Sequence, residues 1–173
     1  IDTQPRFPAF HGWGDQLVCQ EAAGDDIILR SWDYHTHQRE DLLTLPNGRG
    51  TYSYGTMSED GKWYAVSVAR SNGSRAVLLF EIETGEERVL ASSEKTYLFK
   101  HEQFSRDGTN RVLIQANVLP EVKEVHLGTL ELSGDAMVRL CCDQPHTPRP
   151  TGHEAWIGTT DRVFFSTDYD DSR

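Results

Sequence analysis

The 173-residue chain contains no apolar run long enough to cross a bilayer as a helix, and no basic-then-apolar leader stands at its start. A helical membrane span is therefore excluded, and no membrane partner is expected. Cysteine is scarce: Cys19, Cys141 and Cys142 are the only three, an odd number with two adjacent, which excludes a disulfide framework. Buried free thiols are the expectation, and they favour a reducing, cytoplasmic setting. Positive charge is also short, with 17 Lys and Arg against 27 Asp and Glu and a net charge of −10. Phosphate contacts need a dense basic face, so a nucleic-acid partner is excluded. An anionic sugar is not, because exposed charges beyond roughly 10 Å are largely screened and a few local cations can bind a carboxylate. Amphipathic helical periodicity is missing throughout.

What the chain does have is internal repetition. The turn signals Gly14-Asp15, Asp60-Gly61, Asp107-Gly108 and Thr160-Asp161 each precede an alternating apolar run, and their aspartates lie 45, 47 and 54 residues apart. The second repeat is the clearest, with strands expected near 52–58, 62–69, 75–83 and 86–91, parted by turn-forming Glu59-Asp60-Gly61, Ser71-Asn72-Gly73 and Thr84-Gly85. Tandem four-stranded antiparallel units of roughly 40 to 50 residues indicate an all-β propeller. The predicted blades cover about 5–46, 50–93, 97–143 and an incomplete 151–173, three and a half in all within one domain. A β-sandwich of the same strands is the alternative. The open edge after the fourth repeat's second strand invites self-association.

In a propeller blade, the loop leading into strand one and the loop joining strands two and three share a rim, and the turn joining strands three and four lies on the other. Counting back six from the turn aspartates gives Tyr54 and His101, and aligning the aromatic that follows gives Phe7 and His153, so the four form one row on the channel side at the start of strand one. Two adjacent blades thus carry histidine where the earlier two carry aromatics, each within the phrase His-Glu-x-aromatic: His101-Glu102-Gln103-Phe104 and His153-Glu154-Ala155-Trp156. A polar pocket with titratable groups is expected there. His35 and His37 have a spacing that suits a metal, but they fall at a three-to-four turn on the other rim, where a solvated hairpin explains them. His11 reads as a surface turn, and His146 sits in a proline-rich crossing between blades. For either of His101 and His153 alone, capping of a neighbouring carbonyl is the competing role.

Gly-His-Glu-Ala-Trp, 52 residues after His-Glu-Gln-Phe-Ser-Arg-Asp-Gly, resembles the TolB-like propellers of the oligogalacturonate lyases, polysaccharide lyase family 22. The likeness covers residues from about 50 to 173. It implies a seven-bladed ring that cleaves a uronate oligosaccharide by β-elimination, with a divalent manganese-type ion held by histidines and a glutamine mostly outside this chain. By that resemblance His153 is the base, His101 assists, and His126 stands near the place where the family carries an arginine. Tyr54, Glu102, Gln103, Glu154, Trp156, Asp168 and Tyr169 are the expected substrate contacts. A non-catalytic TolB-like propeller that binds protein or saccharide through its rim is the second reading. The propeller gate of a serine peptidase is a third, and it would require a Gly-x-Ser-x-Gly elbow elsewhere.

Overall fold

The structure, a computed structural model, describes residues 5–9, 16–121, 124–134, 136–140 and 150–167. Every sheet is antiparallel, and each is built from strands consecutive in sequence. Blade 1 holds β1 (Pro5–Ala9), β2 (Gln16–Ala23), β3 (Asp26–Asp33) and β4 (Arg39–Leu45). A short 3-10 turn, Asn47–Arg49, leads into blade 2. There β5 (Thr51–Tyr52) and β6 (Thr56–Met57) both pair with β7 (Trp63–Ala69), followed by β8 (Arg75–Glu81) and β9 (Glu87–Ser93). Blade 3 holds β10 (Tyr97–Phe104), β11 (Val112–Val118), β12 (Val125–Leu130) and β13 (Val138–Arg139). Blade 4 has β14 (Pro150–Trp156) and β15 (Val163–Thr167) among the described residues. This is the three-and-a-half-blade architecture that the repeat spacing predicts.

The middle blade shows why its strands read as unbroken apolar runs. On β8 the side chains of Ala76, Leu78 and Phe80 pack into a core shared with Val18, Leu29 and Leu45 of blade 1. The intervening Val77 and Leu79 pack instead with Phe99, Phe104, Val112 and Ile114 of blade 3. Both faces of the sheet are therefore covered. Leu78 and Leu79 have no exposed surface, and each contributes roughly 1.5–3 kcal/mol by leaving water. The last blade is covered on one side among the described residues, and Phe164 on β15 stays 56% exposed.

The repeated Ser-x-Asp-Gly turn has a local cause. In blade 2 the Asp60 carboxylate accepts from Ser58 Oγ at 2.6 Å and from the Lys62 amide at 3.1 Å, while Ser58 Oγ accepts from the Trp63 amide at 3.0 Å. Blade 3 repeats this with Asp107 accepting from Thr109 and Ser105 from the Arg111 amide. Burial would raise the Asp107 pKa, but the hydrogen bonds from Thr109 and Arg111 prevail and hold it low. Cys19 is a buried free thiol whose pKa is pushed up to about 11, chiefly by burial. Cys141 and Cys142 lie outside the described residues. No helix among the described residues is long and apolar enough to cross a membrane.

One expected strand is broken. The run predicted at 52–58 is interrupted at residues 53–55, because Gly55 adopts φ +69° and a Cβ there would stand 2.2 Å from Tyr64 Oη. The chain steps around the tyrosine and then resumes pairing with β7.

Candidate functional site

The innermost strand of blades 3 and 4 carries the same β-bulge. On β10, Lys100 opposes Gln115 and Gln103 opposes Leu113, so His101 and Glu102 together stand against a single partner residue. On β14, Gly152 opposes Ser166 and Ala155 opposes Phe164, which places His153 and Glu154 in the equivalent bulge. Both histidines have left-handed backbones, φ 58° for His101 and φ 55° for His153. That region costs an L-residue energy, and His is among the side chains found there most often. Such bulges re-aim a side chain. Here each turns an imidazole outward and its glutamate inward: both histidines are exposed, while Glu102 and Glu154 are buried. The histidine pair thus sits within the inner strands, one blade apart at the same level, rather than at their first residues.

The two glutamates differ in what meets them. Glu102 faces blade 2, where Ser53 Oγ donates to one carboxyl oxygen at 3.0 Å and Ser67 Oγ donates to the other. Burial raises its pKa, against these hydrogen bonds, which lower it. Glu154 faces blade 3, and neither of its buried oxygens has a hydrogen-bond donor. The cation beside it is His101, whose Nδ1 lies 3.3 Å from Oε1, a charge contact without hydrogen-bond alignment. That contact raises the His101 pKa; partial burial opposes it, and the charges of Glu154 and Glu102 reinforce it. A buried carboxylate is costly unless compensated, so the contact favours the protonated form of His101. His153 has no hydrogen-bond or ion-pair partner among the described residues, and its imidazole is exposed.

These positions correct part of the expected site. Glu102 and Glu154 were expected to touch substrate, but both side chains are buried between blades, and Glu154 reaches the surface only through His101. His126 is also buried: it pairs with Glu124 at 2.5 Å and lies against the Tyr97 ring, with centroids 5.7 Å apart. It opposes Ala116, which packs toward blade 2, so it occupies the sheet face away from Glu154. Gln103 and Trp156 stitch blades 3 and 4, with Gln103 Nε2 donating to the Glu154 carbonyl at 2.7 Å and Trp156 Nε1 to the Gln103 carbonyl at 3.0 Å. Tyr54 is 56% exposed in the second blade's version of the row. Asp168 and Tyr169, with His11 and His146, lie outside the described residues. His35 and His37 are exposed in the turn after β3.

Gln115, missed in the sequence, completes the blade 3–blade 4 junction. Its amide donates to Asn117 Oδ1 at 2.5 Å, and its Oε1 is buried without a donor against Gly152, where a Cβ would stand 2.6 Å away. The preceding junctions place Gln20 and Ser67 in the same role: Gln20 Nε2 donates to the Ser53 carbonyl at 2.8 Å and to Tyr64 Oη at 2.9 Å. The signal was present as a polar residue in the middle of an otherwise apolar second strand. Among the described residues no group of three or more His, Cys, Asp or Glu is placed to hold a metal ion.

Comparison with solved structures settles the architecture. An oligogalacturonate lyase in complex with manganese superposes with a TM-score of 0.67 at 14% identity, covering 94% of this chain and 47% of that one. The chain is part of a β-propeller. TolB from Acinetobacter baumannii matches with a TM-score of 0.55 at 16% identity, over 86% of this chain and 34% of that one. The β-propeller domain of the Trilobed protease from Pyrococcus furiosus gives 0.57 at 11% identity, over 96% and 50%. This propeller chain thus spans half or less of the length of each of these structures. At these identities the likeness is one of fold. No protein-family model matches the propeller chain, and no curated protein does.

Proposed function

We propose that the protein is a lyase acting on a uronate-containing oligosaccharide such as oligogalacturonate, cleaving it by β-elimination at the histidine face of blades 3 and 4. The observation that carries this reading is the pairing of two outward-turned imidazoles on adjacent inner strands, one open and one whose pKa is raised beside a buried glutamate. The shared architecture with an oligogalacturonate lyase supports it.

Elimination beside a uronate carboxylate needs a base for the proton on the adjacent carbon and a positive group for the charge that gathers on the carboxylate. His153, with no fixed partner, accepts the proton. The electron pair left behind forms the new carbon–carbon double bond, and the glycosidic C–O bond breaks with its electrons passing to the departing oxygen, which takes a proton from water. His101, whose protonated form the neighbouring Glu154 favours, stabilises the carboxylate as charge develops. Measuring unsaturated product from oligogalacturonate by its ultraviolet absorbance tests this. Wild-type turnover with loss of product in a folded His153→Ala variant is the expected result; an active variant sinks the assignment.

The second reading is a non-catalytic propeller that binds a saccharide or protein through its rim. The burial of His126 favours it, since no cation from the third strand of blade 3 joins the histidine pair. Uronate oligomers that bind without turnover would support this reading over the first.

A further inference from the structure

The hairpin turn between β7 and β8 carries Asn72 followed by Gly73. Two backbone hydrogen bonds close it: the Arg70 amide donates to the Ser74 carbonyl at 2.9 Å, and the Gly73 amide donates to the Arg70 carbonyl at 3.0 Å. A three-residue hairpin loop of this kind ends on a residue with positive φ, and Gly73 supplies it at φ +87°. Asn72 itself is exposed.

The Asn72 side chain is engaged by the turn. Its Oδ1 accepts from the Ser74 amide at 2.9 Å and from Ser74 Oγ at 2.8 Å, and Ser74 is buried, so both donors are held in place. Two fixed donors on a carbonyl oxygen stabilise the negative charge that gathers there when a nucleophile adds to the carbon. The following backbone nitrogen can close a five-membered ring on Asn72 Cγ, and residue 73 has no Cβ to crowd that approach. Positive charge flanks the turn. Arg75 Nη1 donates to the Gly73 carbonyl at 2.9 Å, and a Cβ on Gly73 would stand 3.8 Å from Lys95 Cε. Such a setting favours both the deprotonated nitrogen that attacks and the carboxylate that results.

We propose that Asn72 is a self-modification site, deamidating through a cyclic imide to aspartate and isoaspartate while the Ser74 donors hold its carbonyl oxygen. The Gly73 amide leaves the Arg70 carbonyl and gives its proton to solvent base. Its nitrogen forms a bond to Asn72 Cγ, the bond from Cγ to the side-chain nitrogen breaks, and that nitrogen departs as ammonia with a proton from water. Water then opens the imide at either carbonyl, giving aspartate or, with the backbone rerouted through the side chain, isoaspartate. One water is consumed and one ammonia released. Freeing the Gly73 amide is a local opening, which an exposed hairpin end undergoes without disturbing the blade. Each event adds one negative charge to the chain's −10, in a turn flanked by Arg70, Arg75 and Lys95.

Mass-spectrometric peptide mapping of the folded protein, held at pH 6 and at pH 9, tests it. The peptide containing Asn72 should gain the mass of one deamidation, resolve into two isomers of equal mass, and do so faster at pH 9. The peptide containing Asn110, which Arg111 follows, should stay unchanged over the same period. Ser74→Ala removes one of the two donors and should slow the change roughly two- to tenfold, the loss expected for one hydrogen bond, with circular dichroism showing the fold intact. No mass gain at Asn72 overturns the proposal. So does a single aspartate product, which direct hydrolysis would give, and so does a rate unchanged or raised in folded Ser74→Ala.

Discussion

Replacing His153 by glycine should stabilise the protein while destroying its site. His153 has φ 55°, is exposed, and makes no hydrogen bond or ion pair among the described residues. A left-handed backbone costs an L-residue about 1–2 kcal/mol, and glycine removes that strain. Glycine's larger loss of chain freedom on folding returns about 0.5–1 kcal/mol. The net is a gain of about 0.5–1 kcal/mol. At about 2–4 °C per kcal/mol for a chain of this size, Tm should rise by about 1–4 °C. His101→Gly is the internal contrast. It relieves the same strain at φ 58° but strips the buried Glu154 of its cation, and breaking such a pair outweighs the relief. Because the His101 side chain is 48% exposed, screening limits the loss, and a net destabilisation of about 1–3 kcal/mol is expected. Urea denaturation of the two variants beside wild type measures both. If His153→Gly loses more than about 1 kcal/mol, the histidine is a structural cap, and the argument that strain is tolerated there for function fails.

Two further outcomes follow from the blade 3–blade 4 junction. The folded His101 has a raised pKa, so its pairing with Glu154 contributes fully below the unfolded value of about 6.5 and is lost as pH rises through the folded value; the Tm advantage of wild type over His101→Gln should shrink between pH 6 and pH 9, and a difference independent of pH would contradict the pairing. Gly152→Ala should cost about 1–3 kcal/mol, since φ is +109° and the new Cβ would stand 2.6 Å from Gln115 Oε1; Gly61→Ala, with φ +71° and open space, should cost less, and equal losses would refute the close approach.

The propeller was legible because its cause is local. A turn such as Ser58–Lys62 closes on its own side chains, so the same letters recur before the second strand of blades 2 and 3 and an aspartate recurs there in all four. The histidine row was legible for a related reason, His101 from its place before the turn and His153 from the aromatic that follows it in the same phrase. What escaped depends on residues far apart in the chain. Glu102 is buried because serines 49 and 35 positions earlier meet it, and no local pattern announces that pairing. Glu154 follows an identical phrase but meets His101 and the region of Gln115 instead, so two matching glutamates acquire different environments. The bulge that turns each histidine outward also hides in an alternating pattern, where His101 and Glu102 look like ordinary neighbours on opposite faces.

The most direct measurement is the ultraviolet absorbance of unsaturated product when the protein meets oligogalacturonate, taken for wild type and for a folded His153→Ala variant. The account predicts steady product from wild type and none above background from the variant. Product from both, or from neither, would contradict it.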